Sequence, residues 1–461
     1  MRKYYSKIRE YRTLFIIFVI FSVIFSFIHV LRFKRHGGLP LEETYSLFSA
    51  SKEVALNNFS IPSFMLSLSN QPQMLAVGTL FILSFGSLIL FYLILSHFNV
   101  FEKTKLFTLS IFTLSPPFIY SFVAYTNYTF ILFFILLFSY LYLKKNLVYA
   151  TIFAIPLIFI SLPSIIIVII LIQVLSLYHE DKNTRQRLIM SLSLIIISIL
   201  AYFALYFGKF IPNKLFFHEK SLFTSTISDF GSVLGFGIFH FILAIIGIII
   251  AWDSSRKNIS LFIAILLGFL LSPLFPVMII ILNVYVSFFA GIAINGVYKK
   301  KWEIQTLKNI TLILILYGLL FSCFSFENRM INSHPSKEEV EALTFLKNQD
   351  EGIVLSDEKN GFIIEYFSDK KPFLDNGLVF LKDGPSKIQT SNEIFYSRNL
   401  DKTINLLKSN DIMYIVIDSE MKEGLVFEKR NEGLLFIMDN SPDNFERIYN
   451  QDEIEIWKLK D

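Results

Sequence analysis

Two adjacent carboxylates, Glu42 and Glu43, open the stretch EETYSLFSASKEV just after the first long apolar run of the chain. A carboxylate at the edge of a bilayer is placed to take a proton from a water-side acceptor whose tail stands in the membrane. Tyr45 follows the pair, and Arg32, Lys34, Arg35 and His36 come immediately before it. If the departing group is a lipid phosphate, such cations would meet the charge that develops on it. A second set, Lys209, Lys214, His218 and Lys220, lies in the longest loop between later apolar runs. The plainer alternative is a pair of solvated loop acids beside lysines whose stems lie along lipid. In the last third, Asp357, Glu358, Asp369 and Asp375 are either sugar or cation contacts or solvated turn residues. Asp418 ends the strand-like VID, where α/β folds place ligand residues and where turns also begin.

The elements that must carry these groups are mostly membrane helices. Of the 461 residues 54% are hydrophobic and 17% charged, against roughly a quarter charged in soluble domains. The charges gather at the N-terminus, in short loops and in the last third. About 11 runs have the length and apolarity of spans, counting roughly 17–25 residues to cross the core. They lie near 13–31, 74–97, 106–123, 128–143, 147–161, 164–178, 188–207, 233–251, 259–275, 277–297 and 309–326. The first follows a basic start without a small-residue cleavage site, and reads as an uncleaved span. Basic residues in alternate short loops place the N-terminus inside and the residues after the last span outside. The loop after the first span breaks that rule with Arg32, Lys34 and Arg35, as an anionic ligand at the outer surface would explain.

The spans themselves look almost free of charge, which argues against an ion-driven transporter. His29, His240 and Asn283 fall within them and read as helix-packing hydrogen bonders. The single cysteine, Cys323, cannot form an internal disulfide and reads as a small buried residue. The net charge of +4 forms no dense basic face, so no nucleic-acid partner is expected. After Glu42, the period through Tyr45, Phe48, Val54 and Leu56 predicts a short amphipathic helix along the outer interface.

From about residue 328 the composition becomes that of a soluble domain. HPSKEEVEALTFLKNQ and KTINLLKSND predict helices; GIVLS, FIIEYF, MYIVID and IEIWKL predict strands. The chain therefore divides into a transmembrane domain, 1–327, with an outer loop at 32–73, and a small extracytoplasmic α/β domain, 328–461.

This layout resembles the GT-C superfamily of polytopic glycosyltransferases, its archaeal members in particular. LEETYSLFSASKEVALNNFSIPSFMLSLSNQPQM is similar to their first outer loop, with its acidic motif, interfacial helix and Ile-Pro. FTLSPPFIYSFVAYTNYTFILFFILLFSYLYLKK is similar to their third and fourth spans, and SPLFPVMIIILNVYVSFFAGIAING to a late pair. ALTFLKN, GIVLSDEKNGFIIEYFSDKKPFLDN and LLKSNDIMYIVIDSEM resemble parts of their outer domains.

The resemblance implies an inverting transferase that takes a sugar from a polyprenyl-phosphate carrier, with a protein or glycan as acceptor. Membrane lipids surround it, and a divalent ion (Mg or Mn) is a candidate cofactor. Glu42 matches the position of the family's usual Asp. Asn127 stands where many members carry a second acid. The late span pair lacks the arginine often found near the donor phosphate, and the Trp-Trp-Asp-Tyr-Gly motif of oligosaccharyltransferases is absent. These departures leave an alternative, a catalytically degenerate envelope protein that binds a lipid-linked glycan or a protein partner.

Overall fold

The structure, a computed structural model, describes residues 2–52, 60–160, 164, 167–172, 184–206, 226–252, 259–273, 275–378, 383–429, 432–451 and 454–460. The chain forms two compact units. The first comprises Met1–Leu31, Leu56–Leu205 and Phe216–Ile331; the second comprises Arg32–Ala55, Tyr206–Leu215 and Asn332–Asp461.

The first unit is helical: α1 (Arg2–His36, whose last residues belong to the second unit), α3 (Ile61–Ser67), α4 (Pro72–His97), α5 (Glu102–Leu114), α6 (Pro116–Val123), α7 (Asn127–Leu143), α8 (Leu147–Ile160), α9 (Thr184–Tyr206), α10 (Ile238–Trp252), α11 (Ile259–Leu271), α12 (Val277–Lys299) and α13 (Gln305–Ile331). Among the described residues four helices are long and apolar enough to span a membrane, or up to five with one bent pair, against about 11 runs in the sequence. The bent pair is α5 and α6, which meet at 58°. Pro116 and Pro117 supply no backbone N–H, and Ser115 before them is held extended at φ −77°, ψ 137°, so the predicted span 106–123 cannot run straight. Shorter apolar helices occupy several other predicted runs, while most of 164–178 lies outside the described residues.

Close packing in this unit rests on small and aromatic residues. A Cβ on Gly247 of α10 would fall 1.8 Å from the Phe289 carbonyl of α12, so only glycine allows these backbones to approach so closely. Phe21 and Phe25 of α1 meet Phe81 of α4 and Phe122 of α6 ring to ring. Polar side chains pair between helices: His29 Nε2 lies 3.0 Å from the Phe122 carbonyl, and Asn283 donates to Ser115 Oγ at 2.7 Å. His240 and Cys323 are also buried. The expectation of charge-free spans needs correction. Helix α13 runs five residues past the predicted end at 326 and carries the buried Glu327 and then Arg329. Glu327 accepts from Cys323 Sγ at 3.2 Å, and Arg329 donates to the Ser228 carbonyl at 2.7 Å. Apolar patterning ended the predicted helix at its first acid, but a hydrogen-bond partner one turn back lets the helix carry that acid onward.

The second unit joins α2 (Glu42–Lys52) to α14 (Lys337–Lys347), α15 (Gly361–Ser368), α16 (Gly384–Phe395), α17 (Leu400–Ser409) and α18 (Gly433–Asn440), around four strands: β1 (Ile353–Leu355), β2 (Ile412–Ile417), β3 (Phe445–Gln451) and β4 (Ile454–Leu459). The sheet order is β1-β2-β4-β3, with β1 parallel to β2 and the other pairs antiparallel. Leu355, Ile415, Ile417 and Trp457 form its core with Phe395, Leu407 and Leu434. Helix α14 begins as predicted from its acids, with a reciprocal capping box between Ser336 and Glu339. FIIEYF, expected as a strand, is helix α15. Five apolar and aromatic residues around Glu365 fit either period, and packing decides: Ile363 and Ile364 are buried, while Tyr366 and Phe367 meet α2.

Candidate functional site

Helix α2 opens where Leu41, at φ 70°, turns the chain, its N–H bonded to the His334 carbonyl at 2.8 Å. Tyr45 and Phe48 are fully buried against Tyr366 and Phe367 of α15. At the other end of α2, Lys52 pairs with Asp369, which also binds Lys347 at 2.6 Å. The apolar face expected to lie on lipid is therefore covered by protein at Tyr45 and Phe48; Val54 and Leu56 lie outside the described residues. An aromatic pair at i, i+3 marks an apolar stripe on a helix but does not say whether lipid or protein will cover it.

Arg32 is 0% exposed. Its guanidinium donates to the carbonyls of Gly38 at 2.9 Å, Leu39 at 3.4 Å, Ser333 at 2.5 Å and Pro335 at 2.7 Å. That fork stitches the turn before α2 to the segment before α14. It corrects the reading of Arg32 as a phosphate ligand, because no donor face is left toward solvent. Tyr45 is corrected likewise: its hydroxyl donates to the Leu39 carbonyl at 2.9 Å and its ring is buried, so it anchors the helix rather than meeting substrate. Lys34 and Arg35 are exposed, Arg35 donating to Asn332 at 3.3 Å, and His36 is half-buried. Lys209, Lys214, His218 and Lys220 lie outside the described residues. Asn127, in the first unit, begins α7, and its Oδ1 is buried with no hydrogen-bond partner among the described residues.

The two acids separate in character. Glu43 is exposed, whereas Glu42 is half-buried. Burial pushes the Glu42 carboxyl up to about 8, assisted by the charges of Glu43, Asp375 and Glu358 and opposed by a hydrogen bond from Asn376. A helix N-terminus favours the ionised form, so desolvation and like charge prevail here. Asn376 Nδ2 donates to Glu42 Oε2, while Oε1 is buried and has no partner among the described residues. Burial also raises Asp375 and Glu358. A carboxyl with one oxygen held, one buried and unpaired, and a raised affinity for protons can exchange a proton with a bound acceptor.

The other acids have local tasks. Asp357 caps the turn at 358–360 through Lys359 N, Asp369 holds its lysines, and Asp418, 4% exposed, accepts from Met421 N at 2.7 Å and Asn360 at 2.6 Å. Among the described residues no group of three or more His, Cys, Asp or Glu side chains stands where it could hold a metal ion. Sequence reasoning missed Asn376. The Asp375-Asn376-Gly377 turn is visible as turn chemistry, but nothing local links it to a glutamate 334 positions earlier.

No family model matches this chain, and no curated protein matches it. Solved structures do. An oligosaccharyltransferase of Archaeoglobus fulgidus, in complex with zinc and sulfate, is 11% identical with a TM-score of 0.64 over 93% of this chain and 71% of that one. The A. fulgidus oligosaccharyltransferase tethered by a disulfide to an acceptor peptide containing the NVT sequon aligns with a TM-score of 0.57 at 11% identity, over 89% and 69% of the two chains. ArnT from Cupriavidus metallidurans, in the apo state, aligns at 0.51 and 10% identity over 95% and 97%. At these identities the likeness is one of fold.

Proposed function

We propose that this chain, which has the fold of the GT-C glycosyltransferases, moves a sugar from a polyprenyl-phosphate-linked donor to a protein or glycan acceptor, with Glu42 as the base. The observation that carries this reading is the Glu42 carboxyl: half-buried, raised to about 8, with Oε1 unpaired among the described residues. The acceptor's oxygen or nitrogen attacks the anomeric carbon, Oε1 takes its proton, and the bond from that carbon to the phosphate oxygen breaks. The carrier leaves as polyprenyl phosphate, and the anomeric centre inverts in the single displacement. Lys34 and Arg35, exposed at the end of α1, are the described cations beside this segment in sequence that remain for a phosphate. The chain sits in a membrane with Glu42 and the residues from 332 onward on the outer face.

The alternative, a scaffold that binds a lipid-linked glycan without turnover, is favoured by Asn127 in place of a second acid. Purified protein in lipid vesicles, given polyprenyl-phosphate sugars labelled in the sugar and a mixed acceptor extract, separates the two. Transfer by wild type and its loss in Glu42→Gln support the transferase. Donor binding with no transfer by wild type supports the scaffold.

A further inference from the structure

Glu42 reaches across 334 positions of sequence to the polar turn Asp375-Asn376-Gly377, which lies between the core residues Leu374 and Leu378. That turn is built to a tight tolerance. Asp375 Oδ1 accepts from Gly377 N at 2.7 Å, which closes it. Gly361, the first residue of α15, lets it seat: a Cβ there would fall 2.3 Å from the Leu374 carbonyl and 2.6 Å from Asp375 Cα. The same α15 carries the aromatic face that holds α2 through Tyr45 and Phe48. One short helix thus touches both partners, α2 through its aromatic residues and the 375–377 turn through Gly361. Asn376 itself is exposed. The result is a carboxyl whose two oxygens are made unequal.

We infer that Asn376 is a positioning residue for Glu42: its amide holds Oε2, and Oε1, unpaired among the described residues, is the atom left to receive the acceptor's proton. This rests on the reading of Glu42 as the base and adds the residue that orients it. Fixing one oxygen removes the two-fold ambiguity of a carboxylate and a rotational freedom that would otherwise have to be lost in the transition state. The groups facing Glu42 are Glu43 on its own helix, and Asp375 and Glu358 from the other elements. Lys359 acts on Glu358, and Lys387 on Asp375. Asn376 is the neutral donor among them.

The test reads the Glu42 proton directly. Dicyclohexylcarbodiimide modifies protonated carboxyls shielded from water, and peptide mass spectrometry localises the label. In wild type, labelling at Glu42 should fall with a midpoint near pH 8. In Asn376→Ala the midpoint should rise by about half a pH unit or more, and in Asn376→Asp further still, because a stabilising donor is lost and then a like charge added. The pH–rate profile of transfer should shift with the label, and kcat should fall more than KM rises. Gly361→Ala, which unseats the turn while leaving Asn376 in place, should move the midpoint the same way. A midpoint in Asn376→Ala and Asn376→Asp that stays at the wild-type value overturns the inference. Labelling does not depend on turnover, so that failure is distinct from failure of the base itself, which an active Glu42→Gln variant would reveal.

Discussion

Replacing Glu42 by glutamine keeps the size of the side chain and a carbonyl for the Asn376 amide, but removes the group that titrates. With the carboxyl at about 8, roughly one tenth of wild-type molecules carry the base form at pH 7 and about nine tenths at pH 9. Transfer that depends on this base should therefore rise about tenfold between those two pH values and level off above them. Glu42→Gln should lose on the order of a hundred- to ten-thousandfold in kcat, and whatever rate remains should lose the rise. The assay is initial-rate transfer of labelled sugar in vesicles from pH 6 to 9, at saturating donor, with donor binding measured in parallel. Glu43→Gln is the internal comparison: an exposed acid whose charge contributes to the shift should cost little in rate and should lower the pH midpoint. A wild-type rate flat across this range, or a Glu42→Gln variant within about twofold of wild type, refutes the assignment of the base.

Three further outcomes concern the frame around the site. Arg32→Ala should destabilise the second unit by about 3 kcal/mol, since it strands four carbonyls that a buried charged donor now satisfies. Arg32→Lys should recover little of that loss because an ammonium cannot reproduce the fork; thermal unfolding in detergent checks both. Tyr45→Phe should cost about 1 kcal/mol through its bond to the Leu39 carbonyl and leave KM for the donor unchanged, whereas a raised KM would return Tyr45 to the substrate. His334 is raised to about 9, chiefly by its hydrogen bond to Glu339, against burial and with help from Glu420. Its stabilising contribution is full below the ordinary value of 6.5 and is lost as pH climbs through about 9. His334→Gln should flatten the fall of unfolding temperature over that window. The raised carboxyl of Glu42 also favours the folded state when protonated, so the fall between 4.5 and about 8 should persist in that variant.

Local pattern carried some elements well. The acid-rich start of α14 and the β-branched runs of β1, β2 and β4 lie where propensity and alternation put them. Strand β3, FERIYNQ, was not legible: it is an edge strand with mostly half-buried or exposed residues, and so lacks the apolar alternation that marks a half-buried strand. Helix α15 was misread because its apolar residues fit both periods until α2 supplies a second face to cover. Among the candidate site residues, Glu42 stands out in sequence only by its company, an acid pair beside basic residues after an apolar run. The roles of Arg32 and Tyr45 were not, because charge and aromaticity announce a ligand contact and a structural tie with the same letters.

What the amino-acid sequence determined by itself was the membrane character of the chain, the soluble character of its last third, and a carboxylate pair at the end of the first apolar helix. These follow from composition and from short periods, which are properties of neighbours along the chain. Tertiary structure alone decided that residues 32–55 group with the residues from 332 onward, that Arg32 is consumed by backbone carbonyls, and that Glu42 is half-buried with a raised proton affinity while Glu43 is exposed. The physical reason is that desolvation and charge act through space. Two adjacent glutamates are equivalent in sequence, and they become different only when one of them is turned toward Asp375, Asn376 and Glu358 and away from water.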